Sequence, residues 1–203
     1  MSVESLSSMF SADRIVRAHQ SAKLGYRIAV YSSDETERYI LEIVWDPNGW
    51  VCMFTGLNPS TATERVDDPT VRRCIGFAKS WGAGALRMTN LVPFRSTDPK
   101  PMLKHVESIA ADARAMFDWR ESNAAMLSRM AHRCDVVVAA WGTNVSSSPE
   151  MTALATAVTR RLSNQGKRVV CLGRNADGTP KHPLYVKKTQ GWVEYGHAGA
   201  LCW

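Results

Sequence analysis

Asp135-Val136-Val137-Val138-Ala139-Ala140-Trp141 decides the fold of this chain. The run is shorter than an ordinary helix, carries three consecutive β-branched residues and has no polar face. A strand with one wet face alternates. A continuous apolar run suits a parallel strand covered on both sides. Residues 50–55, 85–91 and 168–172 have the same character.

Helical patterns separate these runs. Residues 69–81 follow Asp67 and Asp68, carry Pro69 in the first turn and stop at Gly82. Residues 122–133 place Ala124, Leu127 and Met130 at helical spacing, and 149–164 end before Gln165-Gly166. This alternation predicts an α/β domain around a central, mainly parallel, four-stranded sheet with right-handed crossovers. Upstream, 26–31 and 38–45 alternate around the polar 32–37 and predict an N-terminal β-hairpin, with Asp46-Pro47-Asn48-Gly49 as the following turn. Residues 1–25 read as an arm or short helix, and 26–203 as one domain.

Composition sets outer bounds. The 203 residues are 45% hydrophobic and 22% charged, as expected of a folding chain. Lys and Arg number 25 against 19 Asp and Glu, and the net charge of +6 admits a polyanionic partner. No apolar run approaches the roughly 20 residues of a membrane span. Met1–Arg14 contains Glu4 and Asp13 and is not expected to be a secretory signal. Cys52, Cys74, Cys134, Cys171 and Cys202 form no C-x-x-C pair. They read as reduced thiols of a cytoplasmic protein, and neither a metal nor a cofactor is expected.

In parallel sheets ligands bind beyond the carboxyl ends of the strands, so the loops after residues 55, 90, 141 and 173 matter most. The first is Gly56-Leu57-Asn58-Pro59-Ser60-Thr61. Asn58 there either orients a water or a substrate amide, or closes an Asx-turn. In the second, Asn90 reads the amide edge of a base or braces the loop. Phe94 stacks on a ring or fills core, and Arg95 meets phosphate or pairs with Asp98. The third loop offers Trp141-Gly142 as a pocket wall, and Ser146-Ser147-Ser148 as helix cap or phosphate cradle. The fourth carries Arg174, Lys181 and His182, with Lys187 and Lys188 beyond. Leu184 and Tyr185 are either exposed wedges or the start of a strand. Asp67 and Asp68 cap a helix, act as a base or hold a metal; Arg72 and Arg73 reach phosphate or pair with those acids.

Four segments, 56–63, Asp67-Asp68-Pro69-Thr70-Val71-Arg72-Arg73-Cys74, 89–99 and Lys181-His182-Pro183-Leu184-Tyr185, occur in the order and spacing of domain-of-unknown-function family 1643. The chain resembles that family over about residues 38–195. The family in turn resembles the uracil-DNA glycosylase superfamily, which implies a three-layer α/β/α sandwich. Gly56-Leu57-Asn58-Pro59-Ser60 is similar to the superfamily's first motif, in its G-I-N-P-G form, and His182-Pro183-Leu184-Tyr185 to its second, which begins H-P-S-P. Thr89-Asn90 followed by Arg95 and Asp98-Pro99 is similar to a stretch of the iron–sulfur uracil glycosylases, although their cysteine pattern is lacking here.

The resemblance implies that Asn58 positions the hydrolytic water and that His182 donates to the base O2 as charge builds there. It implies that Asn90 reads the base within a pocket of Gly56, Leu57, Ser60, Thr61, Phe94 and Trp141. Leu184 or Tyr185 holds the gap left by the flipped base, and Arg95, Arg174, Lys181 and Lys187 face DNA. Breaking an N-glycosidic bond needs donors preorganised toward the departing base, a held water and an extruded nucleotide. Asn is a weak base, so turnover is expected to be slower than with Asp. No lysine is placed as a Schiff-base nucleophile, which favours a monofunctional enzyme.

Ser60 stands where the uracil enzymes carry a bulky Tyr that excludes groups on base C5. A small wall admits 5-substituted pyrimidines. The expectation is a monomeric, cytoplasmic DNA glycosylase that excises a 5-substituted or hypermodified pyrimidine, such as modified cytosine of phage DNA, in a defence role. Two alternatives stand beside it: an enzyme of the same fold acting on free nucleotides or nucleosides or modifying a base, and a non-catalytic DNA-binding module.

Overall fold

The computed structural model describes residues 14–21 and 25–196. Eight strands form one mixed sheet: β1 (Ile15–Ser21), β2 (Gly25–Tyr31), β3 (Arg38–Val44), β4 (Val51–Gly56), β5 (Ala85–Asn90), β6 (Val136–Ala139), β7 (Arg168–Cys171) and β8 (Val193–Glu194). Their spatial order is β1-β2-β3-β5-β4-β6-β7-β8. Four α-helices occur among the described residues: α1 (Pro69–Ser80), α2 (Pro99–Ala110), α3 (Ala113–Met130) and α4 (Pro149–Asn164).

The sheet is thus twice the expected size. The four continuous apolar runs pair in parallel, as β5-β4, β4-β6 and β6-β7. The hairpin β2-β3 does not stand apart from them, because β3 joins antiparallel to β5, with Leu41 opposite Met88 and Val44 opposite Ala85. With β1-β2 and β7-β8, four of the seven pairings are antiparallel. Residues 15–21, read above as part of an arm or short helix, are an edge strand, and residues 1–13 lie outside the described residues. Arg17, Ala18 and Gln20 of β1 are exposed and none of its residues is buried, as befits an edge.

Helices cover both faces. Beneath one face α1 packs Val71, Cys74, Phe77 and Ala78 against Cys52, Phe54, Leu86 and Val138. On the other, Met102, Leu127, Leu154 and Val158 from α2, α3 and α4 meet Met53, Val137 and Val169. β4 and β6 therefore show one alternate set of side chains to each core, which explains their lack of a polar face.

Helix α2 was not expected, and α3 begins nine residues before the predicted 122. Asp98 caps α2 by accepting from the Lys100 amide at 3.0 Å, and Pro99 and Pro101 sit in its first turn, where a missing N–H costs no helical bond. Among the described residues no helix is long and apolar enough to cross a membrane.

Candidate functional site

The parallel strands β4, β5 and β6 all point their carboxyl ends to one side of the sheet, and the loops leaving them enclose a cavity of about 630 Å³. Asn58 from the first loop, Asn90 at the end of β5, Trp141 from the third loop and His182 from the fourth all line it. So do Gly56, Leu57, Ser60, Lys181 and Tyr185.

Asn58 is fixed by its amide nitrogen, which donates to the carbonyls of Pro59 (3.1 Å), Phe94 (3.4 Å) and Ser96 (2.9 Å). The side-chain oxygen accepts from no donor among the described residues. An anchored carboxamide with a spare acceptor is suited to orienting a water or an N–H. The Ser96 amide returns the tie by donating to the Pro59 carbonyl at 2.9 Å, so the first two loops hold one another.

Asn90 is 5% exposed. It faces Gly56 across the parallel register, and a Cβ added at Gly56 would lie 2.8 Å from its Oδ1. Glycine is required here for that close approach. The Asn90 Nδ2 is buried without a hydrogen-bond partner, which is costly for a folded protein to keep unless something else fills the place.

His182 opens a short 3-10 turn, Pro183–Tyr185, and its Nδ1 accepts from the Leu184 amide at 3.4 Å. The neutral ring then carries its proton on Nε2, leaving that nitrogen as a donor. Burial pushes the imidazole pKa down from its ordinary 6.5, against a smaller upward pull from Asp68. Gly142 packs against the ring's root: its φ is +75°, and a Cβ there would meet His182 Cβ at 3.2 Å. Arg73 on α1 ties the turn down from the other side, donating to the carbonyls of Pro183 (3.3 Å) and Val186. Arg73, read as reaching phosphate or pairing with Asp67 and Asp68, is here a brace on the His182 turn.

The two adjacent acids separate. Asp67 forms a bidentate pair with buried Arg27, at 2.6 and 3.0 Å. Asp68 caps α1 through the Val71 amide at 2.8 Å and, 7% exposed, lines the cavity.

Other expected site residues fall elsewhere. Phe94 stacks on His105 of α2, with ring centroids 4.8 Å apart, as part of a core. Arg95 lies over the ring of Tyr31 and donates to the Glu35 carbonyl at 3.2 Å. Arg174 lies over Tyr195, 4.7 Å from its centroid, and lines a second cavity of about 680 Å³ with Arg160 and Asp177. Thr61, Leu184 and Lys187 are exposed beside the first cavity without lining it. Tyr185, 84% exposed, stands at its rim. Ser148 caps α4, and Ser146 donates to Asp177 at 2.9 Å. Among the described residues no group of three His, Cys, Asp or Glu stands close enough to hold a metal.

Sequence reasoning passed over Arg38. This first residue of β3 is 2% exposed and lines the cavity, and its Nη1 donates to the Ala62 carbonyl. Burial pushes its guanidinium down to about 10, which leaves it charged at neutral pH. The adjoining Glu37-Arg38 pair resembles any solvated strand entry, so no local signal marks it.

No curated protein and no solved structure matches the chain. The family described as "protein of unknown function (DUF1643)" matches residues 38–184, a span that takes in Arg38, Asn58, Asp68, Asn90, Trp141 and His182. The chain belongs to that family.

Proposed function

We propose that this chain is a monofunctional N-glycosyl hydrolase that removes a 5-substituted pyrimidine from DNA, with a fold related to that of the uracil-DNA glycosylases. The observation that supports this reading is the meeting of Asn58 and His182, from two separate loops, with Asn90, the last residue of β5, in one cavity at the carboxyl ends of the parallel strands. In this reading Asn90 reads the base edge through the amide nitrogen that lacks a partner. His182 donates from Nε2 to the base oxygen on which negative charge grows as the bond to the sugar breaks. Asn58 accepts from the attacking water through its spare oxygen. The departing base takes the electron pair of the glycosidic bond, water supplies the hydroxyl to the sugar, and the proton that water loses ends on the released base anion. Ser60 leaves room beside C5, and exposed Tyr185 at the rim is placed to take the space of an extruded nucleotide.

A second reading, an enzyme for free nucleotides, is favoured by Arg38, since a buried guanidinium suits a phosphate. One experiment separates them. Purified protein is incubated with DNAs carrying uracil, a thymine mismatch, hydroxymethyluracil, hydroxymethylcytosine or its glucosylated form, with abasic sites scored by alkaline cleavage, and in parallel with the corresponding free nucleotides, with base release scored by chromatography. Release of one base, lost in Asn58→Ala and His182→Ala, is the expected result. Cleavage of free nucleotides alone selects the second reading, and DNA binding without cleavage of anything refutes both.

A further inference from the structure

We propose that Arg38 makes the cavity a receptor for an oxyanion carried by the substrate, either a carboxylate on the base or a phosphate. Arg38 is buried, its Nε has no hydrogen-bond partner, and it forms no ion pair among the described residues. The nearby acids are engaged. Glu64 accepts from the Tyr31 hydroxyl at 3.1 Å, and Asp67 holds Arg27. Asp68 faces the same cavity and its carboxylate partly offsets the guanidinium charge from a distance without forming an ion pair with it, its Oδ1 accepting from the Val71 amide. Arg38 and Lys181 against Asp68 leave one positive charge along the wall, with His182 neutral.

A buried charge without a paired counter-charge destabilises the fold, and such groups concentrate at ligand sites, where a ligand completes them. The planar guanidinium fork fits a carboxylate or phosphate better than a neutral carbonyl. Its bond to the Ala62 carbonyl places the group beside the 56–63 loop, which carries Ser60. The oxyanion is therefore held on the side of the cavity where Ser60 leaves room. This inference takes the identity of the base from the reading above, but it requires no bond to break.

The test is calorimetric titration of the wild-type protein with three probes: deoxycytidine, 5-carboxydeoxycytidine and deoxycytidine monophosphate. One oxyanion-bearing probe is expected to bind on the order of tenfold or more tighter than deoxycytidine, with the advantage shrinking as salt rises. Which probe gains it identifies the source of the oxyanion. Arg38→Gln is expected to erase the advantage, so that the three probes bind with equal affinity. Equal affinity for all three probes, no binding of any, or an advantage that survives in Arg38→Gln overturns the proposal. If Arg38→Gln does not fold, the wild-type comparison decides, with inorganic phosphate and acetate as competitors: displacement of the favoured probe is expected, and its absence refutes. Failure of base release in the DNA panel leaves this measurement standing.

Discussion

Replacing Gly56 by Ala tests the closest approach in the site. The new Cβ would stand 2.8 Å from Asn90 Oδ1, and ordinary contact begins near 3.4 Å, so the carboxamide must retreat by about 0.6 Å. It has little room, because Asn90 is 5% exposed and its Cα is fixed opposite Gly56 by the β4–β5 register. Overpacking of this kind costs about 1–3 kcal/mol. For a domain of this length each kcal/mol lowers Tm by roughly 2–4 °C. Asn90→Ala removes the obstructing amide together with its partnerless nitrogen, so it should be close to neutral for stability. The double variant should then recover most of the loss seen in Gly56→Ala, which is a strong coupling between the two positions. Thermal melts of the two single variants and the double variant measure it. Additive effects, within about 0.3–0.5 kcal/mol, would refute the steric account. Base release should be lost in all three, because the reading group is displaced in one and absent in the others.

Three further outcomes are expected. Burial holds the folded pKa of His182 below its ordinary 6.5, so the unfolded chain takes up that proton more readily. The stability of the neutral form is present above 6.5 and is lost as pH falls through the lower folded value; wild-type Tm should therefore drop more steeply below pH 6.5 than that of His182→Asn. Asp67→Ala removes an ion partner of buried Arg27 and should lower the urea midpoint, while the folded fraction keeps its base release. Burial raises the thiol pKa of Cys52, Cys74, Cys134 and Cys171, that of Cys134 to about 11. Mass spectrometry after brief native alkylation should find these four unmodified, and all four labelled once denaturant is added.

The parallel strands were legible because burial on both faces writes itself as an unbroken apolar run, as in Val136 to Ala140. Edge strands leave no such mark. β1 shows solvent on much of its length, and β8 is two exposed residues. Helix α2 was hidden by Pro99 and Pro101, which punctuate a sequence even where they begin a helix. Asn58, Asn90 and His182 were legible because each lies at or just beyond the carboxyl end of a parallel strand, and the sheet delivers those ends to the same side. Arg38 was not, because it enters the cavity from an antiparallel strand whose place beside β5 cannot be read from local pattern. Of the two readings of Phe94 the structure shows the core one, and its stacking partner His105 lies on the unforeseen α2.

The sheet order also dictates a schedule for biogenesis. β3 and β4 are consecutive in the chain, yet β5 lies between them. A nascent chain that has not reached Ala85 therefore holds the β1–β3 piece and the lone strand β4, with the strand between them missing. Each piece presents an unpaired edge, with buried-type residues such as Leu41, Ile43, Cys52 and Phe54 beside it. Such edges are templates for any extended segment nearby, including the same piece of another nascent chain on a polysome. Synthesis of six residues, Ala85–Asn90, closes the free edge of β3 and one edge of β4 and brings Asn90 against Gly56 in the same step, while the other edge of β4 waits for β6.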